Sequence, residues 1–367
     1  MQATLRTLYR RLNTGADSAT LHAKTARLLR GLYFVASGEG ANMFAHKREY
    51  HRRRAAMEKQ FLAEGQRASG LLRANRCPSC EGTRVRQRFA NPVGFQFSIC
   101  AEDGTVYMDP VPTEAALTLL YNDEAQTFNH LARRVPHATN HDDVEALLRW
   151  VPDELRGGRL LDVGCALGGF LLALSATNEF EAEGVELSEA AAARARGAGL
   201  RVRAGRLEDI AEDHQFSVIT MLQVIEHIVE PRSALEQCRR LLKAGGMLYL
   251  NTPAVDSGSF RFLERRHIHV SSFGHVSLFT RRSLDALASG CGFRVLAHEY
   301  TGGRDLTLHD VITLALSRER FSHRMALYNG RLAQLGNALE ETPLRKLPEW
   351  LGSGGDQSYQ RAALVAV

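Results

Sequence analysis

The 367-residue chain is 44% apolar and 24% charged, ordinary for a globular protein with room for one large domain plus an appendage, or for two domains. No apolar run approaches the roughly 20 residues that a membrane-spanning helix needs, and the N-terminal stretch has no apolar signal core, so neither a membrane span nor a secretory signal is expected. The net charge of +5 is uneven: residues 1–76 hold 15 Lys/Arg against 5 Asp/Glu, and the remainder holds 31 against 36.

Residues 1–73 are predicted to be a basic helical arm. Leu5, Leu8, Tyr9 and Leu12 share one helical face, and Leu21, Leu28, Leu29 and Leu32 repeat the pattern. Ser37–Gly40 breaks it, and a second basic helix follows around His46–Leu62. The surplus charge suggests an anionic partner: a nucleotide-sugar or lipid-linked acceptor, RNA or an anionic membrane surface. A solvated helical face or an oligomer contact is the preferred reading. Few aromatics interleave with the charges and no RNA-binding signature is present, so nucleic acid is the minority alternative.

Residues 74–112 form a small cysteine module, closed by the loop signal Asp109-Pro110-Val111-Pro112. Cys77 and Cys80 are followed after 19 residues by Cys100 and then Asp103. Two C-x₂-C knuckles signal a zinc ribbon, and here the fourth ligand position holds Asp103. Cys165, Cys238 and Cys291 scatter through periodic apolar segments. Six cysteines in this arrangement are not a disulfide framework, and a reducing, cytoplasmic compartment is expected.

Residues 113–367 are expected to form one α/β domain. Thr113 can cap a helix through Tyr121. From about 142, strand and helix alternate: helix 142–150, strand 159–163, helix 168–176, strand 182–187 and helix 189–198. Strands 201–204 and 216–222, helix 231–242, strand 246–251, helix 281–290 and strand 293–300 follow, and Ala362–Val367 is a final strand. Short buried strands in regular βα alternation predict a doubly wound parallel sheet with helices on both faces. Residues 254–280 and 304–345 are insertions.

The chemistry concentrates at the first strand of this series. Asp162-Val-Gly164-Cys-Ala166-Leu-Gly168 runs from strand into helix, where doubly wound sheets bind nucleotide-like ligands and glycine permits close backbone approach. Glu186 ends the second strand, 22 residues after Gly164, where an acid can accept both ribose hydroxyls. Glycine spacing alone fits a dinucleotide equally well. Asp162 argues otherwise, because a carboxylate before the turn repels a pyrophosphate and favours the cationic, phosphate-free S-adenosylmethionine.

This segment resembles motif I of the class I S-adenosylmethionine-dependent methyltransferases, and Glu186 matches their acid after the second strand. Phe216–Ile228, Pro231 and Leu241–Pro253 look like the family's fourth and fifth strands. Gly274–Thr280, Ser283-Leu284 and Gly292-Phe293 are similar to the closing segment of the ubiquinone-biosynthesis O-methyltransferase and sugar-modifying branches. The resemblance implies a seven-stranded Rossmann-like sheet, with the final strand antiparallel beside 293–300. It also implies a cofactor set of Asp162, Gly164, Ala166, Gly168, Glu186, Leu207, Glu208 and Gln223. Two departures stand out. Ala166 replaces a glycine, and Ala204-Gly205-Arg206-Leu207-Glu208 lacks an acid directly after the glycine, leaving adenine to the Leu207 backbone or Glu208.

Methyl transfer is an in-line displacement in which positioning supplies much of the rate, and a general base helps a protonated nucleophile. His227 follows the fourth strand, and His275 lies in the insertion that would roof the pocket. Each has a structural alternative, ordering a loop. Glu226 either pairs with His227 or caps the next helix. His267 and His269 alternate and read as surface histidines. In the ubiquinone-type relatives an acid three residues before the Glu-His pair helps hold a metal. Gln223 stands there, and a neutral amide weakens a hard-cation site, so catalytic magnesium is not expected.

Several sugar- and polyketide-modifying methyltransferases carry a four-cysteine zinc module before the catalytic domain, and Cys77, Cys80, Cys100 and Asp103 resemble it with one ligand changed. Bound structural zinc and hydrophobic packing in its place both remain open. The function that follows is methyl transfer to an O, N or C nucleophile of a small molecule: a sugar, glycoconjugate or secondary metabolite. An RNA methyltransferase and a non-catalytic cofactor-binding protein are the alternatives.

Overall fold

The computed structural model describes residues 63, 70–91, 94–113, 116, 141–211, 213–257, 260, 267, 269–270, 274–301 and 359–367. The helices expected between residues 5 and 62, most of the one after Thr113, and the insertion at 304–345 lie outside these residues.

In the cysteine-bearing stretch, β1 (Leu72–Arg73) pairs antiparallel with β5 (Val111–Pro112). Between them β2 (Val85–Ala90), β3 (Gln96–Cys100) and β4 (Val106–Met108) form an antiparallel meander. Phe97, Ile99, Val106 and Met108 are buried. They pack with Val229, Val255, Val270 and Val276 from the later part of the chain. A sheet this small has too little core to stand alone, and here it borrows one.

The large sheet is built from β6 (Arg159–Val163), β7 (Glu181–Glu186), β8 (Val202–Ala204), β9 (Phe216–Leu222), β10 (Leu242–Pro253), β12 (Phe293–Thr301) and β13 (Tyr359–Ala366). Their order is β12-β13-β10-β9-β6-β7-β8. The pairings among β6 to β10 are parallel, and β13 lies antiparallel between β10 and β12. Helices α1 (His141–Trp150), α2 (Gly169–Ser175), α3 (Glu189–Gly197), α4 (Pro231–Leu241) and α5 (Arg281–Gly290) cover the sheet. One apolar layer includes Leu161, Ile219, Leu235 and Leu284, and another includes Leu147, Leu160, Leu171 and Val218. Alternation along β6 and β9 thus feeds both layers, as expected for central strands.

Local chemistry sets the boundaries. Ser188 caps α3 by accepting the Ala191 N–H, and Thr280 caps α5 through the Ser283 N–H. Pro231 starts α4, where its missing N–H costs nothing. β10 begins earlier than the hydrophobic pattern predicts, at Leu242, because an irregularity in register before Met247 accommodates Ala244-Gly245-Gly246. The final strand begins at Tyr359 rather than Ala362, since its polar first residues pair with both neighbours.

The sequence pattern did not reveal one connection. β11 (Ser277–Leu278), from the 254–280 insertion, pairs antiparallel with β4 and completes a four-stranded sheet in the order β11-β4-β3-β2. Two residues carry no periodicity, so such a strand is visible only in its pairing.

Candidate functional site

The ends of β6, β7, β9 and β10 lie side by side in the parallel part of the sheet, the edge at which doubly wound sheets bind ligands. Gly164 has φ +69, and a Cβ on it would lie 2.7 Å from Val224 Cγ2. Gly168 has φ +78, and a Cβ there would lie 2.2 Å from Leu200 Cδ1. Both positions therefore need glycine for conformation and for space. Ala166, between them, also has positive φ, at 48°. The turn holds a left-handed residue at a position where it strains a methyl-bearing side chain.

Glu186 is tied to this turn. Its Oε2 accepts the Ala166 N–H at 2.9 Å and its Oε1 accepts the Ser188 N–H at 2.8 Å. Each oxygen keeps a second lone pair, so the carboxylate can accept from two further donors.

Asp162 is only 2% exposed. Its Oδ1 accepts the Thr220 hydroxyl at 2.7 Å. Burial pushes its carboxyl up to about 7; the Thr220 bond opposes the rise, and the charges of Glu186 and Asp143 add to it. A cation arriving nearby would favour the ionised form.

Gln223 has φ 59, and its N–H donates to the Asn251 carbonyl at 2.8 Å. Its side-chain Nε2 donates to Asn251 Oδ1 at 3.1 Å. Asn251 Nδ2 donates in turn to Asp143 Oδ1 at 2.8 Å, which also accepts from the Tyr249 hydroxyl and Arg361 Nε. The positive-φ residue just past the end of β9 is held in place by this polar chain. Leu207 is buried, and its carbonyl accepts from Gln237 Nε2. Glu208 is exposed and pairs with Arg206 at 3.4 Å.

Beyond β9, Ile225–His227 forms a 3₁₀ turn. Glu226 is 0% exposed; its Oε2 accepts the Thr252 hydroxyl at 2.9 Å and its Oε1 has no hydrogen-bond partner. Burial pushes this carboxyl up to about 8. It does not cap the following helix, whose N-cap is Glu230. The Val276 N–H donates to the Glu226 carbonyl at 2.9 Å, which brings the insertion over the turn. As a result the His227 and His275 rings meet edge-on with centroids 4.7 Å apart.

His267 and His269 are 0% and 3% exposed, a correction to the reading as surface residues. His269 lies 4.9 Å from His267, 5.6 Å from His275 and 4.9 Å from Tyr359, centroid to centroid. Alternation placed both histidines on one face, and the core that this face meets comes from distant segments.

Cys77, Cys80, Cys100 and Asp103 also converge, with ligand atoms within 4.8 Å of one another. Cys77 Sγ lies 3.5 Å from Asp103 Oδ2, and Cys80 Sγ lies 3.6 Å from Cys100 Sγ. Edges near these lengths suit tetrahedral zinc with Zn–S bonds of about 2.3 Å. Burial pushes the Cys77 thiol up, a penalty that a bound cation reverses. The cluster is clamped to α4 and α5. Ser79 Oγ donates to the Ser283 carbonyl, Thr280 Oγ1 to the Asp103 carbonyl and Arg232 Nη2 to the Ser79 carbonyl.

A doubly wound sheet with one antiparallel strand inserted next to its edge, a glycine turn after the first strand and an acid ending the second define a class of protein: the class I S-adenosylmethionine-dependent methyltransferases. Residues 131–298 match a family model described as a methyltransferase domain, and this part of the chain is a domain of that class. The ubiquinone biosynthesis O-methyltransferase of Pseudomonas syringae is 33% identical over 122 residues, 30% of this chain and 52% of the relative. That of Pseudomonas aeruginosa is 34% identical over the same shares. The chain thus spans about half the length of the curated relatives it matches. Among solved structures, geranyl diphosphate C-methyltransferase from Streptomyces coelicolor aligns with a TM-score of 0.40 and 16% identity, covering 62% of this chain and 77% of its own. No helix among the described residues is long and apolar enough to cross a membrane.

Proposed function

We propose that the chain transfers the methyl group of S-adenosylmethionine to a hydroxyl oxygen of a small-molecule acceptor. The observation that carries this reading is the meeting of His227 and His275 beside the ends of β9 and β10, adjacent to the glycine turn. A nucleophile approaching the sulfonium in line enters from that side. Glu186 holds the ribose diol, the Gly164–Gly168 turn admits the methionine part, and Asp162 answers the positive charge. Leu207 flanks the adenine. Gln223 keeps the β9 end in the conformation that exposes this surface. His227 and His275 manage the acceptor's proton.

An oxygen nucleophile is favoured over nitrogen or carbon because the ubiquinone biosynthesis O-methyltransferases resemble this chain over 122 residues. The acceptor is read as a sugar, glycoconjugate or secondary metabolite, with an anionic group to suit the basic N-terminal residues. Cys77, Cys80, Cys100 and Asp103 hold a structural zinc ion that fixes the small sheet against α5, and through β11 it steadies the segment bearing His275.

The test is transfer of label from radiolabelled S-adenosylmethionine into fractionated extract. Incorporation into the small-molecule fraction, lost in the Glu186→Ala variant, is the expected result. Label found only in RNA would replace this acceptor class, and no transfer into any fraction despite cofactor binding would favour a non-catalytic protein.

A further inference from the structure

Cofactor binding through Glu186, Asp162 and the glycine turn does not account for a buried carboxylate on α1. Asp143 Oδ1 accepts three hydrogen bonds: from Asn251 Nδ2 at 2.8 Å, Arg361 Nε at 2.9 Å and the Tyr249 hydroxyl at 3.1 Å. We propose that Asp143 is a positioning residue for the ammonium group of the cofactor. It orients the Asn251 amide, and through it the Gln223 amide, so that Gln223 offers a carbonyl oxygen to the methionine part. This rests on the reading of the Gly164–Gly168 turn as the place that admits that part.

Donor chemistry fixes the polarity of this chain. A carboxylate only accepts, so the end of the Asn251 amide that meets Asp143 is its NH2 group. Asn251 Oδ1 is left for its other neighbour, and Gln223 Nε2 donates to it at 3.1 Å. The Asn251 main-chain carbonyl, also an acceptor only, lies 3.3 Å from the same Nε2 and favours the same orientation. With its nitrogen engaged by Asn251, the Gln223 amide has Oε1 as its remaining, accepting end. Reversing the Asn251 amide would set its oxygen against the Asp143 carboxylate and its NH2 against that of Gln223. Two repulsive contacts would then stand in place of two hydrogen bonds.

The chain ends beside the glycine turn. Gln223 follows β9, which pairs with β6, and the next residue packs on the turn itself: a Cβ on Gly164 would lie 2.7 Å from Val224 Cγ2. The Gln223 backbone is held by the same partner, with φ 59 and its N–H given to the Asn251 carbonyl at 2.8 Å. An ammonium group only donates, so a carbonyl oxygen at this place attracts it and an NH2 group repels it. Arg361 pairs with Asp143, and both side chains are nearly buried. The negative charge is therefore balanced within the protein, and what Asp143 passes on to Gln223 is orientation.

The test compares two ligands by calorimetry on the full-length protein. Adenosylhomocysteine carries the ammonium group; methylthioadenosine shares its adenosine and thioether but lacks the amino-acid end. Asp143→Ala should weaken adenosylhomocysteine by about tenfold, the size expected for one hydrogen bond to a charged group, and leave methylthioadenosine unchanged. Glu299, 3.6 Å from Arg361 Nη1, remains to pair that side chain. Asp143→Asn keeps an acceptor oxygen and should restore most of the affinity. Asn251→Leu interrupts the chain at its middle and should show the same selective loss, which keeps the test decisive where Asp143→Ala does not fold. In a Gln223→Leu background, Asp143→Ala should add no further loss. Equal weakening of both ligands, or unchanged adenosylhomocysteine affinity in the folded variants, overturns the proposal alone. Unmodified protein that binds neither ligand overturns the cofactor reading and the proposal with it.

Discussion

The Thr220 hydroxyl donates a 2.7 Å hydrogen bond to Asp162 Oδ1, and the two residues are direct register partners on the parallel strands β9 and β6. Burial of Asp162 makes cofactor binding depend on pH, and the Thr220 bond moderates the shift. Asp162 titrates at about 7 in the cofactor-free protein because it is buried, and the sulfonium cation favours its ionised form. Below about pH 7 the cofactor must displace a proton, so its Kd should rise toward tenfold per pH unit, and above about pH 8 it should level off. Adenosylhomocysteine, lacking the sulfonium charge, should show a shallower profile. Isothermal titration calorimetry between pH 5.5 and 8.5 checks this, and parallel profiles for the two ligands would contradict it.

Replacing Thr220 with Val removes the donor that favours ionised Asp162. Hydrogen bonds to charged groups contribute about 1.5–3 kcal/mol, so S-adenosylmethionine affinity at pH 7 should fall by about tenfold or more. Much of the loss should be recovered at pH 8.5, where a growing share of Asp162 ionises even without the Thr220 bond. A loss of equal size at every pH would assign Thr220 a packing role instead.

Glu186→Ala removes the acceptor for the Ala166 and Ser188 N–H groups along with the site proposed for the ribose. Both cofactor and adenosylhomocysteine should bind at least 100-fold more weakly, because both carry the same diol. Unchanged affinity in calorimetry for Glu186→Ala would refute the assignment.

The glycine turn and the acid tied to it were legible in the sequence because they are local. Asp162, Gly164 and Gly168 sit within one turn, and Glu186 ends the next strand, so periodicity and spacing brought all four to one end of the sheet. The partners that tune them were less visible. Thr220 is an ordinary strand residue until β9 is placed beside β6, and Asp143 lies in a helix before the first strand of the series, yet reaches Tyr249, Asn251 and Arg361. The histidine cluster was legible only as scattered residues. His227 and His275 are joined by a backbone bond between segments about fifty positions apart, and the burial of His267 and His269 depends on contacts that no short pattern encodes.

Ala166 has φ 48 inside the glycine turn. The left-handed conformation costs a non-glycine residue roughly 1–2 kcal/mol, while glycine gives back about 0.5–1 kcal/mol through the freedom of the unfolded chain. Ala166→Gly should therefore leave stability unchanged or raise it by about 1 kcal/mol, measured by urea unfolding. A loss larger than about 1 kcal/mol would mean that the methyl group makes a packing contribution which the turn geometry does not reveal.

The zinc reading of the cysteine cluster makes a prediction that depends on ligand softness. Asp103 is the one oxygen ligand in the set. Burial opposes its ionisation, but the Thr105 hydrogen bonds and the thiols of Cys100 and Cys80 outweigh it and hold its carboxyl below the usual range. The carboxylate is thus ready to bind a cation, but as a harder donor than thiolate. Asp103→Cys should complete a four-thiolate set and slow zinc loss to a chelator by at least tenfold. Cys77→Ser should instead release the metal and lower Tm by about 5 °C, the equivalent of about 2 kcal/mol for a domain of this size. Because β4 pairs with β11 two residues after His275, turnover in Cys77→Ser should fall while adenosylhomocysteine affinity is retained. Purified protein with no zinc by elemental analysis, and Tm indifferent to chelator, would mean that the three thiols and Asp103 pack together without a metal.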